Sequence, residues 1–394
     1  MQEHQSRKFL WLALKVSGGV TLLLLVLFGG LIAYVAKEKR KWDKLTDTHD
    51  LKRRAVEMGQ GYLAKRSNAA LVIGISQKGQ RAVLGLGRLS ATNAASPDAQ
   101  TLFEIGSVTK LFTAIALARM ENDGKVKATN TVRELLPEKV PVAPALESVT
   151  LLHLATHTSG LPRLPGNLDT SDASLANPYA KYRVEELYQF LAAAKPNNPP
   201  GKLTDYSNVG FALLGHLLSI KAGQAYETLV RTHLFQPLGM TNTVLQPNEA
   251  QRHRLTPGHG PKGEPVPPWD FDVFAPAGGF RSCANDLLIF IEANLNDAGT
   301  STGQALIQAR KARRVGEAGE LPLGWQSEVL LHGGLEVFWH NGGTGGYVSF
   351  IGLNRKQQIG VVVLANYGDA MAGRFDVDKV GMDLLKLGSK VSLE

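Results

Sequence analysis

Ser107-Val108-Thr109-Lys110 sets a hydroxyl and an amine three positions apart. On a helix these two positions share a face. A serine hydroxyl is a weak nucleophile until a base takes its proton, and a neutral amine one turn away can be that base. The serine also stands where a helix is expected to begin, so the positive end of the helix dipole favours negative charge developing there. Tyr206-Ser207-Asn208 offers a phenol that could relay a proton to a leaving group. It also offers an amide with both a donor and an acceptor for a substrate amide. His340-Asn341-Gly342-Gly343 closes a strand candidate and enters the glycine-rich stretch Gly342 to Gly346. There a substrate can lie against the backbone and its oxyanion can be held by N–H groups. Taken alone, each motif has a plainer reading: a helix cap with a solvated lysine, a packed loop tyrosine with a capping asparagine, a hairpin turn with a chance histidine.

The elements that must position these groups follow from periodicity and turn chemistry. Helical patterns run over 48–65, 108–122, 184–194, 209–222, 225–235, 285–296 and 376–387. Strand candidates are 70–75 and 81–86, joined by the hairpin signal Gln77-Lys78-Gly79-Gln80, and then 335–340, 347–353 and 358–365 near the end. Residues 90–100, 163–182 and 196–204 read as polar surface loops. Strands at both ends and helices between them predict an α+β domain: an antiparallel sheet of N- and C-terminal strands flanked by the first and last helices, with a mostly helical second lobe. A site between the two would draw on both.

The three motifs, in this order, resemble the Ser-x-x-Lys, Tyr/Ser-x-Asn, Lys/His-x-Gly signature of the serine β-lactamases and penicillin-binding proteins. The chain resembles the class C β-lactamase-like family, which includes D-Ala-D-Ala peptidases, D-amino-acid peptidases and family VIII esterases. The likeness extends to Phe103 through Lys110, Leu154-Ala155-Thr156-His157-Thr158-Ser159-Gly160-Leu161-Pro162, Tyr206 to Gly215, Pro237 through Thr243, Pro276-Ala277-Gly278-Gly279-Phe280 and Gly324-Trp325. It covers about 55–388. The resemblance implies that Ser107 is acylated and that Asn208 orients the substrate amide. It implies that Lys110 and Tyr206 serve as general base and proton relay; the sequence leaves open which takes the serine proton. His340 takes the place of the family's Lys/His. Backbone N–H groups of Ser107 and Gly343 would form the oxyanion hole, with Asn341 and Gly342 beside it.

Two departures stand out. His340-Asn341 replaces the Lys-Thr of the β-lactamases, whose lysine and hydroxyl help hold a substrate carboxylate. Histidine is mostly neutral at pH 7. Weak β-lactam turnover relative to esters or peptides is therefore expected. The loop at 163–182 has no residue to which the family pattern assigns a role. The expected function is a serine hydrolase acting on an amide or ester, by family bias a D-Ala-containing cell-wall peptide or a β-lactam. A carboxylesterase of the same fold and a silent cell-wall-binding relative are the alternatives, and a labelled penicillin or fluorophosphonate probe separates the last from the others.

Composition narrows the remaining classes. The chain has 394 residues, 44% hydrophobic and 20% charged, a globular balance. One cysteine, Cys283, excludes an internal disulfide and a cysteine-rich zinc site, and reads as a small packing residue. His153 and His157 stand four apart but lack the glutamate of a zinc-binding helix, so no metal and no cofactor is expected. Net charge is +8, and residues 1–44 hold eight Lys/Arg against three Asp/Glu. The remainder shows no basic stripe for nucleic acid.

Residues 16–36 carry no charge over 21 positions. As a helix they span roughly 32 Å, against a bilayer core of about 30 Å. The expected organisation is a tail at 1–15, a transmembrane anchor at 16–36, a basic linker at 37–50 and the catalytic domain at 51–394. The resemblance places that domain on the periplasmic face of a bacterial inner membrane. The positive-inside count points the other way, with five Lys/Arg after the span and three before it.

Overall fold

The computed structural model describes residues 50–169, 171, 176–296, 299–330 and 334–393, with positions 28, 33 and 34 besides. The anchor expected over 16–36 and its flanks lie outside the described residues, those three positions and residue 50 apart. Among the described residues no helix is long and apolar enough to cross a membrane. The chain divides into two units, Met1–His49 and Asp50–Glu394, and the second carries the motifs.

Its centre is a six-stranded antiparallel sheet. The strands are β1 (Ala70–Gln77), β2 (Gln80–Gly87), β3 (Gln326–Leu330), β4 (Leu335–Gly343), β5 (Val348–Asn354) and β6 (Ile359–Ala365), in spatial order β2-β1-β6-β5-β4-β3. Strands from the two ends of the domain thus meet in the middle, where Ile73 pairs with Val363. β1, β5 and β6 are buried throughout, because both faces are covered. Helices α1 (Leu51–Leu63) and α7 (Asp376–Leu387) pack on one face and α5 (Ala284–Leu295) on the other. The hairpin between β1 and β2 turns through Lys78 and Gly79, both at positive φ, as its sequence predicts.

Helix α2 (Thr109–Asn122) is buried along nearly its whole length, between the sheet side and the helical lobe. Against it pack α4 (Asn208–Ala222) and α6 (Ser301–Arg310), and α3 (Leu151–Ala155) packs in turn on α4. The sequence reading differs in several places. Strand β3 and helix α6 were not expected: most of β3 is exposed and polar at the sheet edge, and α6 carries Ser, Thr and Gly at its start without a clear apolar stripe. The helix expected over 225–235 is α-helical only at Tyr226–Val230 and continues as a π-helical turn over Arg231–Phe235. The loop at 163–182 is not purely superficial, since Tyr179 and Tyr182 are buried. Tyr179 stacks on Phe274 with ring centroids 4.5 Å apart.

Candidate active site

The turn before α2 is set by its neighbours on β4 and β5. Gly106 has φ +48°, and a Cβ there would sit 2.6 Å from the Gly343 nitrogen. A side chain at Gly342 would collide with the Ile105 carbonyl. Glycine at these two places lets the Ser107 turn and the end of β4 come into backbone contact. The Ser349 hydroxyl on β5 donates to the Ile105 carbonyl at 2.8 Å, fastening the turn to the sheet. Just upstream, Glu104 forms a buried ion pair with Arg281 at 3.0 Å and accepts the Trp269 backbone N–H at 2.9 Å. Burial dominates this carboxyl and pushes it up to about 7 against the opposing pull of Arg281.

One turn into the helix, the Lys110 side chain is completely buried. Its Nζ lies 3.0 Å from Ser107 Oγ, 2.9 Å from Asn208 Oδ1 and 2.6 Å from the Ala277 carbonyl. Burial, aided by the positive charge of Arg163, holds the amine well below the ordinary lysine range. Tyr206 lies beside it, its ring centroid 4.8 Å from Nζ. Burial pushes the Tyr206 phenol up, against the opposing effects of its hydrogen bond with Ser107 and of Arg163.

Helix α4 begins at Asn208 because the Ser207 hydroxyl caps it, accepting the Gly210 N–H at 2.9 Å while donating to the Pro162 carbonyl at 2.7 Å. That cap also ties the loop after α3 to the second motif. The Asn208 amide is oriented at both ends: Oδ1 accepts from Lys110, and Nδ2 donates to the Tyr179 hydroxyl at 3.3 Å.

His157 follows α3 with φ +57°. Its ring stacks on Tyr206 with centroids 4.4 Å apart, and its Nδ1 accepts the Ser207 backbone N–H at 3.1 Å. With Nδ1 so engaged, the neutral ring carries its proton on Nε2, which is buried without a hydrogen-bond partner among the described residues. Burial, then the neighbouring Lys110 and His340, keep this imidazole well below its ordinary range.

Successive side chains of β4 point to opposite faces, and the third motif divides accordingly. His340 faces inward, 1% exposed, with its ring 6.4 Å from that of Tyr206. Its Nδ1 donates to the Asn341 carbonyl at 2.6 Å, leaving Nε2 as an acceptor. Burial, reinforced by Lys110, lowers its pKa to about 3, so the position carries no charge at neutral pH. Asn341 does not join the cluster: its amide donates to Asp378 on α7 at 2.5 Å. Ser107, Lys110, Tyr206, Asn208 and His340 are therefore gathered at one place, with Gly342 and Gly343 against the nucleophile turn. A cavity of about 380 Å³ opens beside Tyr206 and His340, walled further by His157, Thr204, Trp325 and Ser327.

Three contributors have no role in the sequence reading. The Ala277 carbonyl sits in a segment quoted there only for its pattern. Tyr179 and Arg163 lie in the loop left without assignment, where an aromatic and an arginine among Pro, Asn, Asp and Ser were the available signal.

A model of the beta-lactamase family matches residues 56–382. The chain is similar to penicillin-binding protein 4 of Amycolatopsis lactamdurans, 26% identical over 287 residues that cover 68% of this chain and 73% of the relative. It is also similar to the D-alanyl-D-alanine-carboxypeptidase/endopeptidase AmpH of Escherichia coli K12, 28% identical over 302 residues, 72% of this chain and 76% of that one. A class C β-lactamase structure from Rhodobacter sphaeroides shares the fold, with a TM-score of 0.72 at 20% identity over 84% of this chain and 98% of its own. With a family model spanning most of the domain and the serine β-lactamase fold beneath it, the chain belongs to the beta-lactamase family and is a serine hydrolase.

Proposed function

We propose that the protein is a membrane-anchored hydrolase that acylates Ser107 with a D-Ala-terminated peptide or a β-lactam and then hydrolyses the acyl-enzyme. The observation that carries this reading is the hydrogen-bond set of Lys110. Two of its three partners, the Asn208 and Ala277 carbonyl oxygens, can only accept. A neutral amine has two N–H bonds for them and one lone pair left, which faces Ser107 Oγ. The Ser107 O–H then donates to Nζ, and the amine takes that proton as Oγ attacks the substrate carbonyl.

Tyr206 enters with its phenol protonated, since burial opposes the phenolate. It is placed to give its proton to the departing nitrogen or oxygen and to recover one from Lys110. The Ser107 and Gly343 N–H groups receive the oxyanion, and losing one such donor costs about 2.7–4 kcal/mol of barrier. The second N–H of Asn208 Nδ2 is available to a substrate carbonyl. Water then attacks the ester by the same proton route in reverse.

A carboxylesterase is the second reading, favoured by the uncharged His340 in place of a lysine. A chromogenic cephalosporin, a D-Ala-D-Ala peptide and a p-nitrophenyl ester compared side by side separate the two. Ser107→Ala tests the shared mechanism: it abolishes covalent labelling by a fluorophosphonate probe and leaves the fold intact. Undiminished turnover by that variant would remove Ser107 from the reaction.

The uncharged run at 16–36 and the family's encounter with cell-wall substrates support an anchor with the domain on the periplasmic side. Protease added to intact spheroplasts digests the domain in that case, and full protection until lysis contradicts it.

A further inference from the structure

Arg163 follows Gly160-Leu161-Pro162, and its carbonyl accepts the backbone N–H of Asn208 at 2.9 Å and of Val209 at 3.4 Å. The loop is thereby fixed to the first turn of α4, the helix that carries the second motif. The guanidinium Cζ lies over the Tyr206 ring, 5.0 Å from its centroid. The residue is exposed. Its side chain forms no ion pair and no hydrogen bond among the described residues. The charge reaches the catalytic groups all the same, for it acts on Lys110, His157 and Tyr206.

The other candidates for positive charge here are silent. His340 is buried and neutral, and Lys110 is enclosed and spent on three internal contacts. Among the described residues Arg163 is the cation that remains over the Tyr206 ring. A leaving group whose nitrogen meets the Tyr206 hydroxyl carries its next atoms across the same ring. In a C-terminal amino acid the carboxylate is two bonds from that nitrogen. A guanidinium presents a planar fork that matches a carboxylate with two parallel hydrogen bonds.

We propose that Arg163 is the specificity-determining residue that receives a carboxylate on the substrate's leaving group, supplying from the loop after α3 the charge that the third motif lacks. This rests on the acyl-enzyme reading above and narrows it to substrates with a free C-terminal carboxylate.

The test compares acetyl-D-Ala-D-Ala with its C-terminal carboxamide. Release of D-alanine or D-alaninamide gives kcat/KM for the full-length protein, Arg163→Gln and Arg163→Lys, each on the plateau of its own pH profile. The wild type prefers the acid. Arg163→Gln lowers the acid-to-carboxamide ratio by roughly tenfold to a hundredfold, the loss expected for a charge-assisted hydrogen bond. Arg163→Lys keeps part of the preference, because an ammonium retains the charge without the fork. A ratio unchanged by Arg163→Gln overturns the proposal, whether both rates fall together or neither falls. Failure of the acyl-enzyme reading shows elsewhere, as turnover of the acid by Ser107→Ala, and leaves the ratio still reporting on Arg163.

Discussion

Lys110 and Arg163 approach one Tyr206 ring at nearly equal distances, 4.8 and 5.0 Å from its centroid, and the protein treats the two cations in contrary ways. At the floor of the site every polar contact of Lys110 is internal and the amine is shut away from water, so desolvation favours its neutral form. His157 and His340 share that floor and are driven neutral by the same cause. At the mouth, Arg163 stays in solvent, where a guanidinium keeps its charge at any working pH. The floor needs a lone pair for proton transfer and the mouth needs a permanent charge. Burial, rather than residue type, assigns the two tasks, and the outer charge helps to hold the inner amine neutral.

The largest effect comes from removing the lone pair. Lys110→Met keeps the length and apolar bulk of the side chain but cannot accept the Ser107 proton. Acylation falls by about 10²–10⁴-fold, the usual weight of a general base, with KM little changed. Stopped-flow labelling with a fluorophosphonate gives the rate. A near-normal rate would transfer the base role to Tyr206 and end the contrast between floor and mouth.

A second variant sharpens the contrast by removing a charge that the interior does retain. Glu104 and Arg281 are both buried and stay polar only by pairing. Arg281→Met strips the partner from a buried carboxylate, which costs about 3–5 kcal/mol of stability. The pH dependence has a definite sign. Burial holds the Glu104 carboxyl at about 7 in the folded protein, above the ordinary carboxylate range. The folded state therefore holds this proton more tightly, and the stability tied to it is present below the unfolded pKa and lost as pH rises through the folded one. Without Arg281 the deficit in melting temperature is larger at pH 8 than at pH 5. Equal deficits at the two pH values would mean that lost packing, not charge, sets the cost.

The smallest effect tests the communication between the two cations. Arg163 lowers the Lys110 pKa, second to burial, so Arg163→Gln moves the acid limb of kcat/KM to higher pH. A neutral ester substrate keeps any carboxylate contact out of the measurement. Raising ionic strength from 0.15 M to 1 M shortens the screening length from about 8 to 3 Å, and it shrinks this shift in the wild-type-to-variant comparison. An acid limb that stays in place shows that the two charges act independently.

Much of the architecture is legible in the sequence because its segments are long and locally consistent. Val184–Ala193 has an apolar stripe of helical period, β6 is a continuous apolar run, and Lys78-Gly79 gives the hairpin its turn. Strand β3 escapes notice because an exposed sheet edge need not alternate in hydrophobicity. The residues gathered around Ser107 carry short motifs whose side chains can be read in order. The rest of the site is built from features that no local pattern encodes. The Ala277 carbonyl reaches Lys110 only through packing across 167 positions of sequence. Asn341 is diverted to Asp378 because alternate residues of β4 face opposite sides of the sheet. Arg163 and Tyr179 sit in a segment whose composition reads as solvent-facing loop, and only the folded chain shows one against Tyr206 and the other under Asn208.

The pairing of β1 with β6 governs how the protein is made as well as how it stands. A ribosome releases Ala70–Gln77 long before Ile359–Ala365, yet these segments are adjacent in the finished sheet. Closing so long a loop costs little extra free energy, because the entropy grows only with the logarithm of its length. The delay is felt instead in the rate, as it is for any fold built on distant contacts. Throughout translation, the β1–β2 hairpin waits with one edge of β1 unpaired, an apolar strand of the kind that recruits foreign chains. A nascent chain that stops before Ile359 leaves that edge of β1 without its partner strand.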